Sequence, residues 1–205
     1  MKTKFCHRLT AEVRQPSTVN RQPQGMSEEQ VILVNEQDQQ TGTIEKMEAH
    51  RKALLHRAFS IFIFNPKGEM LLQQRSKAKY HSPGLWTNSC CSHPRPGEPV
   101  EAAARRRLKE EMGFETALEK IFDFIYKTAF ENGLTEYEFD HVYTGTYTGS
   151  DLNPDKQEVT DYCFRSMEDI EQDLDSCPEK YSSWFKIAFP RLKAWRKGLM
   201  VDGLL

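Results

Sequence analysis

Cys91 and His93 stand two residues apart in the polar string Thr87-Asn88-Ser89-Cys90-Cys91-Ser92-His93-Pro94. In an extended chain, residues i and i+2 face the same way, so this thiol and imidazole can enter one pocket. Alone the pair is weak, because a buried inert cysteine is the common case. His50 and His56 form a second pair, each of which, taken singly, reads as a surface histidine. Glu136 and Glu138 form a third, on one face of an expected strand, with Asp140 beyond them. The opposite face carries Tyr137, Phe139, His141 and Tyr143. An aromatic face is ordinarily core and an acidic row ordinarily solvated. As a group, three imidazoles and two carboxylates make a mixed N/O donor set that suits Mn, Fe or Zn better than Ca. Spacing alone does not bring them together.

Two charged segments follow the same logic. Glu98, Glu110 and Glu111 sit among Arg105, Arg106, Arg107 and Lys109. They read either as an exposed helix laced with local ion pairs, or as a carboxylate metal ligand beside basic groups that hold phosphate. Arg75, Lys77 and Lys79 form a basic loop, ordinarily solvated. Beside a divalent cation it would neutralise a diphosphate, with Arg making forked contacts and Lys acting as a point charge.

The elements that must position these residues follow from pattern. Val31–Val34 reads as a short strand. Residues 37–42 read as a turn marked by Thr41-Gly42. Ala58–Phe64 is almost wholly apolar, which suits a central strand covered on both faces. Asn65-Pro66-Lys67-Gly68 is a turn, after which 69–75 is expected to return as a hairpin partner. Residues 76–84 read as a loop. Over 98–112, Val100, Ala104, Leu108 and Met112 recur every four residues as one apolar stripe, and Gly113 closes the helix. Strands are expected at 121–126, 136–146 and 159–164, and helices near 167–174 and 181–197. The fold class is α+β, an α/β/α sandwich with a mixed sheet flanked by helices. Residues 1–28 lack apolar pattern and read as a flexible arm before a single domain over 29–205.

Composition narrows the function classes. The 28 Lys and Arg against 30 Asp and Glu give a net charge of −2, which argues against a nucleic-acid partner. No apolar run approaches the length of a membrane span. Five irregularly spaced cysteines do not make a disulfide framework. The N-terminus lacks the apolar core of a secretory signal, so a cytoplasmic location is expected.

The string GEPVEAAARRRLKEEMGF resembles a degenerate Nudix box, G-x5-E-x7-R-E-U-x-E-E-x-G-U with U apolar. Aligned on Gly113, the box places its Arg at Arg106 and its carboxylates at Glu98, Glu110 and Glu111. Ser92 replaces the first Gly, and Arg107 replaces a Glu that binds the catalytic metal in the hydrolases. Together with EKMEAHRKALLHRAFS, PGLWTNSCCSHP and EYEF, these departures resemble the type I isopentenyl-diphosphate delta-isomerases, from about residue 30 to 190.

The resemblance implies an enzyme that interconverts isopentenyl and dimethylallyl diphosphate through a tertiary carbocation, in isoprenoid biosynthesis. It makes Cys91 the catalytic thiol and Glu138 its acid/base partner, with Cys90 a bystander. It implies that Tyr126 supports Glu138 and that Trp184 lies near the reacting carbons. Glu138 is expected to protonate the terminal carbon and the Cys91 thiolate to take the C2 proton. His50, His56, His93, Glu136 and Glu138 would hold Mn²⁺ or Mg²⁺, with Zn²⁺ as an alternative. Glu111, with the Cys91 backbone nearby, would hold an Mg²⁺ bound to the substrate diphosphate. Lys46, Arg75, Lys79, Ser92 and Arg107 would bind that diphosphate. The partner is a small-molecule diphosphate, with neither nucleic acid nor membrane, and the chain is expected to be a monomer or weak homodimer. Two alternatives stay open: a Nudix-type pyrophosphohydrolase of a nucleoside diphosphate derivative, and a non-catalytic metal- or diphosphate-binding module.

Overall fold

The computed structural model describes residues 29–198, so the expected arm at 1–28 lies outside the described residues. In chain order the elements are β1 (Gln30–Val34), β2 (Gln40–Glu45), α1 (Lys46–Lys52), β3 (His56–Phe64), β4 (Met70–Arg75), β5 (Trp86–Thr87) and β6 (Cys90–Ser92). Then come α2 (Val100–Met112), β7 (Leu118–Ala129), β8 (Thr135–Thr146), β9 (Val159–Arg165), α3 (Met167–Ser176) and α4 (Ser183–Arg196). The nine strands form one mixed sheet.

β3 runs through its centre. One edge pairs in parallel with β8 along its whole length, from His56↔Glu138 to Phe64↔Thr146. The other edge is shared by β1 at His56, β6 at Phe59–Ile61 and β4 at Phe64. Alternation then sorts its side chains. Phe59, Ile61 and Ile63 pack under α2 with Ala104, Leu108 and Met112. Phe62 and Phe64 pack on the other face with Phe185, Phe189 and Leu192 of α4. A sheet covered by helices on both faces is the architecture expected from the sequence, and the near-continuous apolar run of β3 follows from it.

The expected β3–β4 hairpin is present but short. Its turn forms, but only Phe64↔Met70 pair before the strands part, and β4 pairs instead with β9 over Met70–Arg75. The gap is filled by Thr87–Cys90. The buried Ser89 hydroxyl donates to the Leu71 carbonyl at 2.8 Å and accepts from the Ile63 N–H at 3.0 Å. The Ser89 N–H donates to the Ile61 carbonyl at 3.1 Å. The string read for its thiol and imidazole therefore works as a wedge that opens the sheet. The pattern also missed β2 and α1. β2 (QTGTIE) carries Gly and polar residues where a turn was expected, and α1 is seven residues long.

Gly113 ends α2 with φ of +79°, and a Cβ there would stand 2.3 Å from the Asn153 carbonyl oxygen. Both the left-handed backbone and the close approach require glycine. Among the described residues no helix is long and apolar enough to cross a membrane.

Removing the wedge's hydroxyl leaves a buried N–H and a buried C=O unpaired. Ser89→Ala is expected to cost roughly 2 to 4 kcal/mol of stability, read as a lower midpoint in urea unfolding.

Candidate active site

The strand pairing that builds the sheet also gathers the polar residues. His56, Ala58 and Ser60 of β3 lie beside Glu138, Asp140 and Val142 of β8, and alternation turns all six to the α4 face. The antiparallel pair Ser60↔Cys91 puts the Cys91 thiol on that same face, and Ile61↔Cys90 sends Cys90 to the α2 core. His93, two residues after Cys91, returns to the site. Glu45 caps α1, accepting from the Met47 and Glu48 amides, and α1 delivers a buried His50 beside His56, with ring centroids 5.1 Å apart.

His50, His56, His93 and Glu138 offer one donor atom each, all within 4.8 Å of one another, and together they could hold a metal ion. Both ring nitrogens of His50 and Nε2 of His56 are buried without a hydrogen-bond partner. Buried polar atoms are ordinarily paired, so orphaned nitrogens converging beside a carboxylate are what a metal centre needs. Burial, with His93 and His56 nearby, holds His50 at about 3, so it presents a neutral lone pair. Burial alone would push Glu138 up, but the imidazoles of His56, 3.5 Å away, and His93, hydrogen-bonded at 3.0 Å, keep its carboxyl well below the usual range. Glu136 is buried next to it but stands outside the four-donor group, with Oε1 3.4 Å from Nε2 of His81. Burial and the Glu138 charge push its carboxyl well up. The Tyr126 hydroxyl donates to Glu138 at 2.6 Å and lies 3.2 Å from Glu136. The acidic row, ordinarily a solvated feature, is buried.

Cys91 sits among acceptors. Its thiol donates to Asn88 Oδ1 at 3.0 Å, and the Asn88 amide is fixed because Nδ2 donates to the Ile61 and Cys90 carbonyls. Ser60 Oγ lies 3.4 Å from the sulfur, but its one proton goes to Asp140 at 2.7 Å. Burial and the Asp140 charge push the Cys91 thiol well up.

Cys91, Glu138, Tyr126 and Trp184 all line one cavity of about 310 Å³. Lys46, Arg75, Lys79, Ser92, Arg107 and Glu111 line it too. Arg75 stacks over the Trp184 ring at 4.9 Å. Arg107 forms ion pairs with Glu111 at 2.6 Å and Glu110 at 2.7 Å, while the other Glu111 oxygen lies 3.2 Å from Gln73 Nε2. Lys46 is ion-paired with Glu29, and Lys79 with Glu158. In the box helix, Arg106 bridges Glu98 and Glu110, a local ion-pair role.

Several residues of this site carried no weight in the sequence. His81 is buried in the 76–84 loop, stacked on Phe130 at 5.0 Å and edge-on to Trp184 at 5.6 Å. Ser60 had a usable signal, as a hydroxyl in an otherwise apolar strand. Glu29 and Glu158 had none.

The NUDIX domain family model matches residues 54–185. The isopentenyl-diphosphate Delta-isomerase of Pectobacterium atrosepticum is 48% identical over 164 residues, covering 80% of this chain and 90% of that protein. A second, from Aromatoleum aromaticum and named isopentenyl-diphosphate Delta-isomerase 2, is 48% identical over 170 residues, covering 82% and 89%. The fold is similar to that of DR0079 from Deinococcus radiodurans, with a TM-score of 0.65 at 20% identity over 80% of this chain and 98% of that one. It is also similar to a MutT protein from Methanosarcina mazei, with a TM-score of 0.58 at 22% identity over 70% and 96%. With a Nudix domain over most of its length and curated relatives matched almost end to end, this chain belongs to the isopentenyl-diphosphate Delta-isomerase family.

Proposed function

We propose that this chain is an isomerase that interconverts isopentenyl and dimethylallyl diphosphate in the cytoplasm, as a step of isoprenoid biosynthesis. One observation carries the reading: a thiol and a carboxylate from distant segments face one cavity whose rim is basic. The substrate is a small-molecule diphosphate, and neither nucleic acid nor membrane takes part. The catalytic unit is the Nudix-like domain from residue 29 onward.

An isolated alkene has no carbonyl to spread charge, so adding a proton to its terminal carbon gives a tertiary carbocation. The site must then offer an acid, a base and little free water. In the substrate-free chain the surroundings of Cys91 favour the protonated thiol, since only acceptors face its sulfur. The surroundings of Glu138 favour the carboxylate. This supports Cys91 as the proton donor to the terminal carbon and Glu138 as the base that takes the C2 proton. That is the reverse of the direction expected from the sequence, and the roles exchange when the reaction runs backward. Tyr126 aims Glu138 through its short hydrogen bond. Trp184 lines the cavity beneath Arg75, and an aromatic ring near the reacting carbons would stabilise a cation.

His50, His56, His93 and Glu138, with Glu136 beside them, would hold Mn²⁺ or Mg²⁺, or Zn²⁺. Bound there, the ion would fix the carboxylate's orientation and tune its acidity. Lys46, Arg75, Lys79, Ser92 and Arg107 would hold the diphosphate, and Glu111 would help hold an Mg²⁺ arriving with it, which would offset the diphosphate charge. A hydrolase reading needs an acid where Arg107 stands, and Arg107 itself is paired with Glu111. The diphosphate is therefore a handle that stays intact.

Cys91→Ala and Glu138→Gln are each expected to lower conversion of isopentenyl diphosphate by about three orders of magnitude, with circular dichroism unchanged. Near-normal turnover in either variant would refute its assigned role. His50→Leu separates a metal ligand from a structural histidine. Without metal the variant is expected to be at least as stable in urea as the wild type, because it no longer buries unpaired nitrogens. Added Mn²⁺ is expected to raise the melting temperature of the wild type only.

A further inference from the structure

The basic end of the cavity holds a carboxylate for which the isomerisation has no use. Glu158, just before β9, is ion-paired with Lys79, and its other oxygen lies 3.4 Å from Arg107 Nη2. It therefore occupies space between two of the cations assigned to the substrate's diphosphate. Its backbone is pinned on two sides. The Ser76 N–H donates to the Glu158 carbonyl at 2.9 Å, which ties the residue to the loop that carries Lys79. The Glu158 N–H donates to the Asp155 carbonyl at 3.0 Å, and the Asp155 N–H donates to the Glu111 carbonyl at 3.0 Å. That second chain ties it to the end of the helix that carries Arg107. Glu158 cannot retreat without moving one of these segments, so only its side chain can yield. Burial alone would push its carboxyl up, but Lys79 and Arg107 more than offset this and keep it ionised.

A fixed anion in that place answers differently to the two forms of an incoming diphosphate. A bare diphosphate meets a like charge that already holds its cations, and such a juxtaposition is unfavourable. A diphosphate carrying a divalent cation meets an oxygen donor, with Glu111 on the same guanidinium as a second. We propose that Glu158 is a specificity residue: it stands in for the diphosphate in the free chain and makes productive binding conditional on a divalent cation arriving with the substrate. This deepens the function proposed above and rests on its assignment of the basic rim.

Calorimetric titration with inorganic pyrophosphate, with and without Mg²⁺, tests this on the wild type and Glu158→Gln. The variant is expected to bind magnesium-free pyrophosphate roughly tenfold or more tighter than the wild type, and to lose most of the gain that Mg²⁺ brings. Variant binding of magnesium-free pyrophosphate that is equal to or weaker than wild type would overturn the proposal, since Glu158 would then merely brace Lys79 and Arg107. Turnover of isopentenyl diphosphate by the same wild-type preparation separates the two levels. Its absence would count against the isomerase function, while the pyrophosphate comparison still decides the role of Glu158.

Discussion

The parallel pairing of β3 with β8 is the constraint on which the site depends. It sets His56 opposite Glu138 and Ala58 opposite Asp140, and it runs without a break to Phe64. A slip of one residue would turn His56, Ser60, Glu138 and Asp140 to the other face of the sheet. The apolar residues between them prevent that slip, because Phe59, Ile61 and Ile63 are locked under α2 while Phe62 and Phe64 are locked under α4. The packing that stabilises the fold and the register that assembles the chemistry are one arrangement.

The wedge from Thr87 to Cys90 joins the second half of the site to the first. Ser89 takes the hydrogen bonds that a β3–β4 ladder would have used, and this seats Cys91 against Ser60. Asn88 spends both amide protons on backbone carbonyls, so its oxygen is the atom left for the thiol. Polar residues in the middle of a sheet are costly unless every group is paired. Here the wedge residues Asn88 and Ser89 are fully paired, while His50, His56 and Asp140 keep buried atoms without a partner. The unpaired nitrogens of His50 and His56 lie in the group that could hold a metal ion.

Much of this was legible in the sequence, and the parts that were not share a cause. The i, i+2 spacing of Cys91 with His93 and of Glu136 with Glu138 signalled shared faces because strand geometry is periodic. The apolar stripe of α2 and the buried run of β3 were visible for the same reason. α1 and β2 were not, since seven residues of mixed polarity and a Gly-containing strand give pattern too little to repeat. The early parting of β3 from β4 depends on side-chain hydrogen bonds from Ser89, which no hydropathy pattern encodes. Glu158 meets Lys79 across 79 positions of chain, and Glu29 meets Lys46 across 17. Contacts of that kind leave no local trace. The Nudix-box string located the helix, but the swap at Arg107 became meaningful only when its guanidinium was seen among Glu110, Glu111 and Glu158.

In the proposed reaction a thiol held as a proton donor and a carboxylate held as an acceptor act on one hydrocarbon chain, with the diphosphate kept aside by the basic rim. Proton NMR of isopentenyl diphosphate incubated with the wild-type protein in heavy water examines this most directly. Deuterium should enter a methyl group of dimethylallyl diphosphate while the diphosphate stays whole. Release of phosphate, or formation of the product with no deuterium taken up, would contradict a reaction that passes protons through Cys91 and Glu138.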